Sequence, residues 1–281
     1  MHHRTLITAQ ALKQNLEDPN WMIIDCRFSL ANSESGERAY RFGHIPNARY
    51  AHLEKDLSSN LTDLTGRHPL PNFRALITKL QQWGVTNQSQ VIVYDDAGGA
   101  FAGRLWWLLR CLGHDNVAVL DGGINHWRQL AYPITTILPL MNPSAFRPYP
   151  SITSWNNALE IQNALASKSI CLIDARTPER FHGKNEPIDP IAGHIPGAIN
   201  RPLQLNLATN GLFLSQQELN KQFRKLIGDR PSTEVVHMCG SGVTACHNLL
   251  AMEYAGLSGS KLYPGSWSEW IRNKNRAIAN D

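Results

Sequence analysis

The chain has 281 residues, a length that suits two domains of ordinary size or one large one, and 42% of them are hydrophobic, as in a globular protein. The formal net charge of +4 is small for this length, and no lysine- or arginine-rich run predicts a nucleic-acid or membrane surface. No segment has the apolar length of a signal peptide or a membrane span, so we expect a cytoplasmic protein.

The first half of the chain alternates short apolar runs with helical segments. Thr8 is a suitable cap for a short helix through Leu16, and the apolar run from Trp21 to Cys26 predicts a strand. A second buried strand is predicted at 91–95, and a helix follows it at 100–111. This alternation is typical of an α/β domain with a mainly parallel sheet flanked by helices.

Motifs of the first half recur in the second half in the same order. Asp25-Cys26-Arg27 returns 149 residues later as Asp174-Ala175-Arg176, and the Gly-His-Ile-Pro turn at 43–46 returns 150 residues later at 193–196. The strand at 91–95 matches 235–239, and the segment 121–127 matches 263–270. Four matches in order indicate a duplicated domain.

We therefore predict two tandem α/β domains, at residues 1–137 and 152–281. The stretch between them, 138–151, contains four prolines and no helical or strand period. It is interpreted as a linker that wraps on the surface, because its apolar residues need cover.

The most informative stretch is 234–254, which predicts a strand, a tight loop and a helix. Val235 and Val236 suit a buried strand, Gly240 and Gly242 suit a turn, and the helix is predicted from 244 to 254. Cys239 is then the first loop residue after the strand. Backbone N–H groups and the positive end of the helix would face its sulfur and favour a thiolate, so we predict a nucleophile.

The other cysteines have simpler explanations. Cys26, Cys111 and Cys171 are predicted to be small core residues, and Cys246, seven residues after Cys239, is expected to be packed rather than a resolving thiol. An odd number of cysteines with no CxxC spacing predicts neither a disulfide framework nor a metal site. A cysteine phosphatase is disfavoured because Ala245 stands where its phosphate-binding arginine would be.

The loop Cys239-Gly-Ser-Gly-Val-Thr-Ala245 resembles the active-site loop of the rhodanese superfamily of sulfurtransferases. Within that superfamily it is more similar to the 3-mercaptopyruvate branch than to the thiosulfate branch, whose loop carries basic side chains. Together with the repeat, the resemblance covers nearly the whole chain. It implies two rhodanese-like domains, of which the first is inactive because Asp95 replaces the cysteine.

The resemblance also implies substrate-binding residues. The loop residues Gly240, Gly242, Val243 and Thr244 would surround the transferred sulfur. Arg180, in Arg-Phe-X-Gly, matches the family arginine that binds the anionic group of the donor, and guanidinium suits a carboxylate.

Arg176 is a second candidate for that role, although a surface pair with Asp174 or Glu179 is an alternative. The mercaptopyruvate branch usually has another arginine after the next Glu-Pro, whereas this chain has Glu186-Pro187-Ile188-Asp189. The second arginine is therefore absent or supplied from elsewhere, which leaves the preferred donor open.

Two residues of the first half match a proton relay of the family. Asp56 and His68 lie where the family has an aspartate and a histidine that act with the loop serine, here Ser241. A turn cap at Asp56 and a turn histidine at His68 are the alternatives. Arg67 would add positive charge near the site.

The predicted reaction is sulfur transfer through a persulfide on Cys239, with Ser241, His68 and Asp56 assisting and with no metal or organic cofactor. The donor would be 3-mercaptopyruvate, or alternatively thiosulfate, and the acceptor a thiol, cyanide or a thioredoxin-like protein. A slow persulfide carrier or redox module is the alternative from a different class. We expect no nucleic-acid or membrane partner.

Overall fold

The computed structural model describes residues 2–280, which form two compact units. Unit 1 consists of residues 2–59, 70–152 and 209–213, and unit 2 of 60–69, 153–208 and 214–280. Two short segments thus differ from the predicted domain limits, since 60–69 belongs to unit 2 and 209–213 to unit 1. Within residues 2–280, no helix combines the length and the apolar character that crossing a membrane requires.

Unit 1 contains a five-stranded sheet in the order β1-β5-β4-β2-β3, and every pair is parallel. Its strands are β1 (Leu6–Ile7), β2 (Trp21–Asp25), β3 (Arg49–Tyr50), β4 (Gln90–Tyr94) and β5 (Val117–Leu120). Its helices are α1 (Ala9–Gln14), α2 (Ser35–Phe42), α3 (Phe73–Trp83), α4 (Ala102–Cys111) and α5 (Gly123–Gln129). The predicted strands and helices of this half are confirmed, with ends that differ by one or two residues.

Unit 2 contains a four-stranded sheet in the order β7-β6-β8-β9, again parallel throughout. Its strands are β6 (Cys171–Asp174), β7 (Ile199–Asn200), β8 (Val235–Met238) and β9 (Lys261–Leu262). Its helices are α6 (Ala158–Ala166), α7 (Pro178–Phe181), α8 (Gln216–Ile227), α9 (Ala245–Tyr254) and α10 (Ser266–Trp270), with 3-10 turns at Leu203–Asn206 and Ser232–Glu234.

The duplication predicted from the sequence is visible in the topology. The order β5-β4-β2-β3 of unit 1 matches β9-β8-β6-β7 of unit 2. In both units an arginine that lies two residues beyond the end of a central strand, β2 or β6, makes the same contacts. Arg27 donates to both Asp25 oxygens and to the Gly43 carbonyl, and Arg176 does the same with Asp174 and Gly193. The two α/β domains with parallel sheets are therefore confirmed.

The linker lies along unit 1, but it is covered only in part. Phe146 is fully buried, and its carbonyl accepts a hydrogen bond from the Gln81 side chain. Leu138, Leu140 and Met141, by contrast, are half to mostly exposed. The expectation that the apolar residues of the linker are covered is therefore correct for Phe146 and wrong for these three.

The strand that leads to Cys239 carries a buried histidine. His237 on β8 is fully buried, its Nε2 lies 3.1 Å from the Met252 sulfur, and its Nδ1 has no hydrogen-bond partner within residues 2–280. Burial, and then the nearby charge of Arg201, lowers the pKa of His237 to about 3. The ring is therefore neutral in the folded protein.

Because His237 is buried in its neutral form, we expect the free energy of unfolding to fall at acidic pH. Because the folded pKa of about 3 lies below the ordinary 6.5, the unfolded state binds a proton that the folded state excludes, and stability falls as the pH drops from about 6.5 towards 3. His237→Gln, which removes the titration, should reduce the loss of unfolding free energy between pH 7.5 and 4.5 by roughly 2–3 kcal/mol in urea melts. Exposed His2→Gln is the control. An unchanged loss in the His237 variant would contradict the prediction.

Candidate active site

The end of β8 positions Cys239. The strand is buried over its whole length, and Cys239 follows it directly with only 2% of its surface exposed. Its N–H donates to Ser266 Oγ at 3.1 Å, and its carbonyl accepts from the N–H of Trp267 at 3.0 Å. The start of α10 thus holds the backbone of the cysteine from both sides.

The loop after Cys239 directs an N–H group at the sulfur. Gly242 N donates to Cys239 Sγ at 3.2 Å, and α9 begins two residues after Val243. Gly242 has a φ of +75°, and a Cβ there would lie 2.2 Å from the Pro264 carbonyl, so only glycine fits. The loop therefore directs a backbone N–H dipole at the Cys239 sulfur.

The matching loop of unit 1 shows the same kind of site filled by a carboxylate. Asp95 is fully buried, and its Oδ1 accepts from the N–H groups of Ala97 and Gly99 at 2.9 and 2.8 Å. Its Oδ2 accepts from Phe101 and Ala102, both at 2.8 Å. A loop of this type therefore offers four backbone donors to a buried carboxylate.

His68 and Ser241 are brought together, as the resemblance predicted. His68 Nδ1 lies 2.7 Å from Ser241 Oγ, and both residues are buried. The segment that carries His68 is fixed within unit 2, because Arg67 N donates to Ser268 Oγ at 3.0 Å. Gly66 allows this segment to lie against the start of α10, since a Cβ at position 66 would lie 2.4 Å from the Gly265 carbonyl oxygen.

Asp56 lies in unit 1, and its contacts there are those of a turn cap. Its Oδ2 accepts from His52 N at 2.8 Å, and its Oδ1 is 2.8 Å from Lys79 Nζ. These contacts agree with the alternative interpretation of Asp56. A part in proton relay stays a prediction.

Arg180 and Arg67 place two guanidinium groups beside the loop. A Cβ built on Gly240 would lie 2.8 Å from Arg67 Nη2 and 3.3 Å from Arg180 Nη2. Burial lowers the pKa of Arg67, while the neighbouring Cys239 sulfur acts in the opposite direction. Both cations are therefore close enough to bind an anion whose reactive atom meets Cys239.

Two carboxylates orient these arginines. Glu186 accepts from Arg180 Nε at 3.0 and 2.9 Å, and Asp189 accepts from Arg180 Nη2 at 3.1 Å. Asp189 also pairs with Arg67. From the sequence, Arg67 was expected only to add positive charge near the site, and Asp189 had no predicted role. The signal that could have found Asp189 is the Glu-Pro-Ile-Asp stretch in place of the second family arginine.

Arg176 is engaged in the interior of unit 2. It is 3% exposed, forms the double hydrogen bond with Asp174, and lies over the Trp267 ring at 4.8 Å. Arg27 has the same contacts to aspartate and glycine in unit 1, which lacks the cysteine. These contacts favour the alternative in which Arg176 holds its loop, and substrate binding by Arg176 stays a prediction.

Val243 and Thr244 complete the loop between Cys239 and α9. Val243 is buried, and Thr244 stands half-buried at the N-cap position of α9, where its side chain makes no capping hydrogen bond. Within residues 2–280, no group of three or more His, Cys, Asp or Glu side chains could hold a metal ion. The five cysteines form no disulfide and are all buried.

Comparisons with known proteins agree with this geometry. The model of the Rhodanese-like domain matches twice, at residues 8–130 and 157–273. The chain is 45% identical to a probable 3-mercaptopyruvate sulfurtransferase of Pseudomonas aeruginosa, with 99% of both chains covered. It is 37% identical to a putative thiosulfate sulfurtransferase of Mycobacterium tuberculosis, with 98% of this chain and 96% of that protein covered.

A solved structure supports the same conclusion. The 3-mercaptopyruvate sulfurtransferase from Leishmania major superposes with a TM-score of 0.84 at 30% identity, and the match covers 95% of this chain and 74% of that one. The two matches of the family model cover the two parallel sheets, apart from β1. The chain therefore belongs to the rhodanese family of sulfurtransferases, with two rhodanese-like domains in tandem.

Proposed function

We propose that this enzyme moves sulfane sulfur from 3-mercaptopyruvate to a thiol or cyanide acceptor through a persulfide on Cys239. The observation that carries the proposal is the arrangement around Cys239 Sγ. An N–H group donates to the sulfur, a histidine–serine pair lies in the same unit, and two arginines lie beside Gly240. These are a nucleophile, a proton source and an anion site.

The first step is attack of the Cys239 thiolate on the sulfur of the donor. A sulfur–sulfur bond forms, the carbon–sulfur bond of 3-mercaptopyruvate breaks, and its electron pair passes to the carbon as the enolate of pyruvate. The N–H of Gly242 and the start of α9 stabilise the charge on the terminal persulfide sulfur.

The pyruvate carbon then needs a proton. Ser241 Oγ is hydrogen-bonded to His68 and is placed in the loop next to the cysteine, so the pair can deliver this proton to the enolate. In the second half-reaction, an acceptor thiolate or cyanide attacks the outer sulfur, and the electron pair of the broken bond returns Cys239 to the thiolate.

The choice of donor follows from charge. Thiosulfate is a dianion, whereas the loop residues Gly240 and Ser241 are uncharged. The two arginines beside the loop are already paired, Arg180 with Glu186 and Arg67 with Asp189. A donor with a single carboxylate therefore suits this site better. The names of the two relatives differ on this point, since one is called a mercaptopyruvate and the other a thiosulfate enzyme.

The experiment that tests the proposal is steady-state turnover with 3-mercaptopyruvate and with thiosulfate, each with cyanide as acceptor. We expect kcat/KM for 3-mercaptopyruvate to exceed that for thiosulfate by orders of magnitude. A larger value for thiosulfate would make the enzyme a thiosulfate sulfurtransferase. Single-turnover behaviour with both donors would instead favour the persulfide carrier.

Ser241→Ala should separate the two donors. We expect kcat with 3-mercaptopyruvate to fall about tenfold to a hundredfold, because protonation of the leaving carbon loses its donor. Turnover with thiosulfate should change little, since sulfite leaves without a proton on carbon. The control is Ser169→Ala on the exposed surface of unit 2. Equal losses with both donors would mean that Ser241 only shapes the loop.

The physiological acceptor is also part of the proposal. A small thiol, cyanide or a thioredoxin-like protein would each react with the outer sulfur of the persulfide. The cytoplasmic location expected from the sequence stays a prediction.

A further inference from the structure

Asp189 occupies the donors of the two arginines beside the loop. Its side chain is only 2% exposed; Oδ1 pairs with Arg67 Nη1, and Oδ2 accepts from Arg180 Nη2 at 3.1 Å. Each carboxylate oxygen thus meets a different guanidinium. This is the contact that an incoming substrate carboxylate would make with the same pair.

Glu186 has a different relation to Arg180. It accepts from Nε at 3.0 and 2.9 Å and also from the N–H groups of Ile188 and Asp189, so it holds both the guanidinium and the turn. The Nη atoms of Arg180 and Arg67 are the ones that lie over Gly240. Glu186 Oε1 also lies 2.8 Å from Arg180 Nη2, so Glu186 orients this arginine, whereas Asp189 bridges the two guanidinium groups through Arg67 Nη1 and Arg180 Nη2.

The ion pairs around Arg67, Arg176 and Arg180 contain equal numbers of positive and negative side chains. Asp174 pairs with Arg176, Glu186 with Arg180, and Asp189 with Arg67, which gives three cations and three carboxylates. An anion that binds the two loop-facing arginines must share them with Asp189 or displace it. The free-energy cost of binding the anion beside Asp189 grows with the negative charge of the anion, because these ion pairs contain no surplus cation.

We propose that Asp189 is a specificity-determining residue that screens Arg67 and Arg180 and thereby selects donors with one negative charge over dianionic donors. The inference rests on the proposed function for the identity of the donor. Arg67 then provides the second cation that the family usually supplies after the Glu-Pro pair. Asp189 keeps that cation from attracting thiosulfate.

Turnover gives the first test. Asp189→Asn keeps the size of the side chain and removes its charge. We expect kcat/KM for thiosulfate to rise about tenfold or more relative to that for 3-mercaptopyruvate. Asp229→Asn, the same change at an exposed position of unit 2, should leave the ratio unchanged. A ratio that does not move in Asp189→Asn would overturn the proposal.

A second test does not depend on sulfur transfer. Iodoacetate and iodoacetamide alkylate Cys239 by the same reaction, with iodide leaving, but only iodoacetate carries a carboxylate. The ratio of their rate constants, followed by mass spectrometry of the Cys239 peptide, therefore measures the attraction of the site for one negative charge. We expect this ratio to rise about tenfold in Asp189→Asn and to fall in Arg67→Gln.

The controls separate charge from structure. Asp189→Glu should restore a ratio near that of the wild type, which a purely structural role would not predict. An unchanged alkylation ratio in Asp189→Asn, in protein that melts cooperatively, would overturn the proposal even if 3-mercaptopyruvate is turned over. A raised ratio without sulfur transfer from either donor would support the role of Asp189 and reject the proposed function.

Discussion

Cys239→Ser is expected to lower turnover with either sulfur donor by at least about 10³-fold, because a serine hydroxyl is not ionised at neutral pH and cannot hold a sulfane sulfur. The loop should keep its shape, since a serine oxygen can accept the hydrogen bond from the Gly242 N–H and the backbone contacts of residue 239 to α10 do not involve the sulfur. The measurement is kcat with 3-mercaptopyruvate and with thiosulfate, together with the mass of the isolated protein after donor treatment.

Cys246→Ser is the matched control. Cys246 is equally buried and lies on α9, and its thiol is 3.5 Å from the Gly242 carbonyl, a contact that a hydroxyl can keep. We expect it to retain most of the turnover and still to gain the mass of one sulfur atom. Turnover that survives in Cys239→Ser, or a comparable loss in Cys246→Ser, would mean that Cys239 is not the only sulfur carrier.

Asp95→Ala should destabilise unit 1 by roughly 3–5 kcal/mol, because four backbone N–H groups lose a charged acceptor inside the protein. Asp95→Asn should cost less, since one oxygen remains. Asp96→Ala, at the next and exposed position, is the control and should change stability by under about 1 kcal/mol.

The effect of Asp95→Ala can also be measured at the individual amides that donate to Asp95. Amide hydrogen exchange at Ala97, Gly99, Phe101 and Ala102 reports the four hydrogen bonds directly, and urea unfolding reports their sum. Faster exchange at these amides in Asp95→Ala, with no change in Asp96→Ala, is the expected result. Unchanged exchange would show that solvent replaces the carboxylate at little cost and that the loop needs no anion.

Much of the fold follows from local patterns. Val91 to Tyr94 and Val235 to Met238 are runs of buried residues that end at a polar or reactive residue, and both were found as strands from the sequence. The repeat of Asp-x-Arg and Gly-His-Ile-Pro predicted equivalent units, and the matching sheets agree. Cys239 was identified because its neighbours, two glycines and a helix start, lie next to it in the chain.

The pairing of His68 with Ser241 could be expected only through the resemblance. The two residues are 173 positions apart, and no local pattern joins a histidine in a Gly-Arg-His-Pro turn to a loop serine. The membership of residues 60–69 in unit 2 is of the same kind, since it depends on contacts with the start of α10.

The sequence by itself thus determined the duplicated parallel α/β plan, the strand–loop–helix around Cys239 and the absence of an arginine after Glu186-Pro187. Only the tertiary structure decided that Arg176 is held inside by Asp174 and that Arg67 stands beside Arg180 with Asp189 between them. The physical reason is that periodicity and turn chemistry act between near neighbours. Which charges meet depends on strand order and loop packing, and these depend on the whole chain.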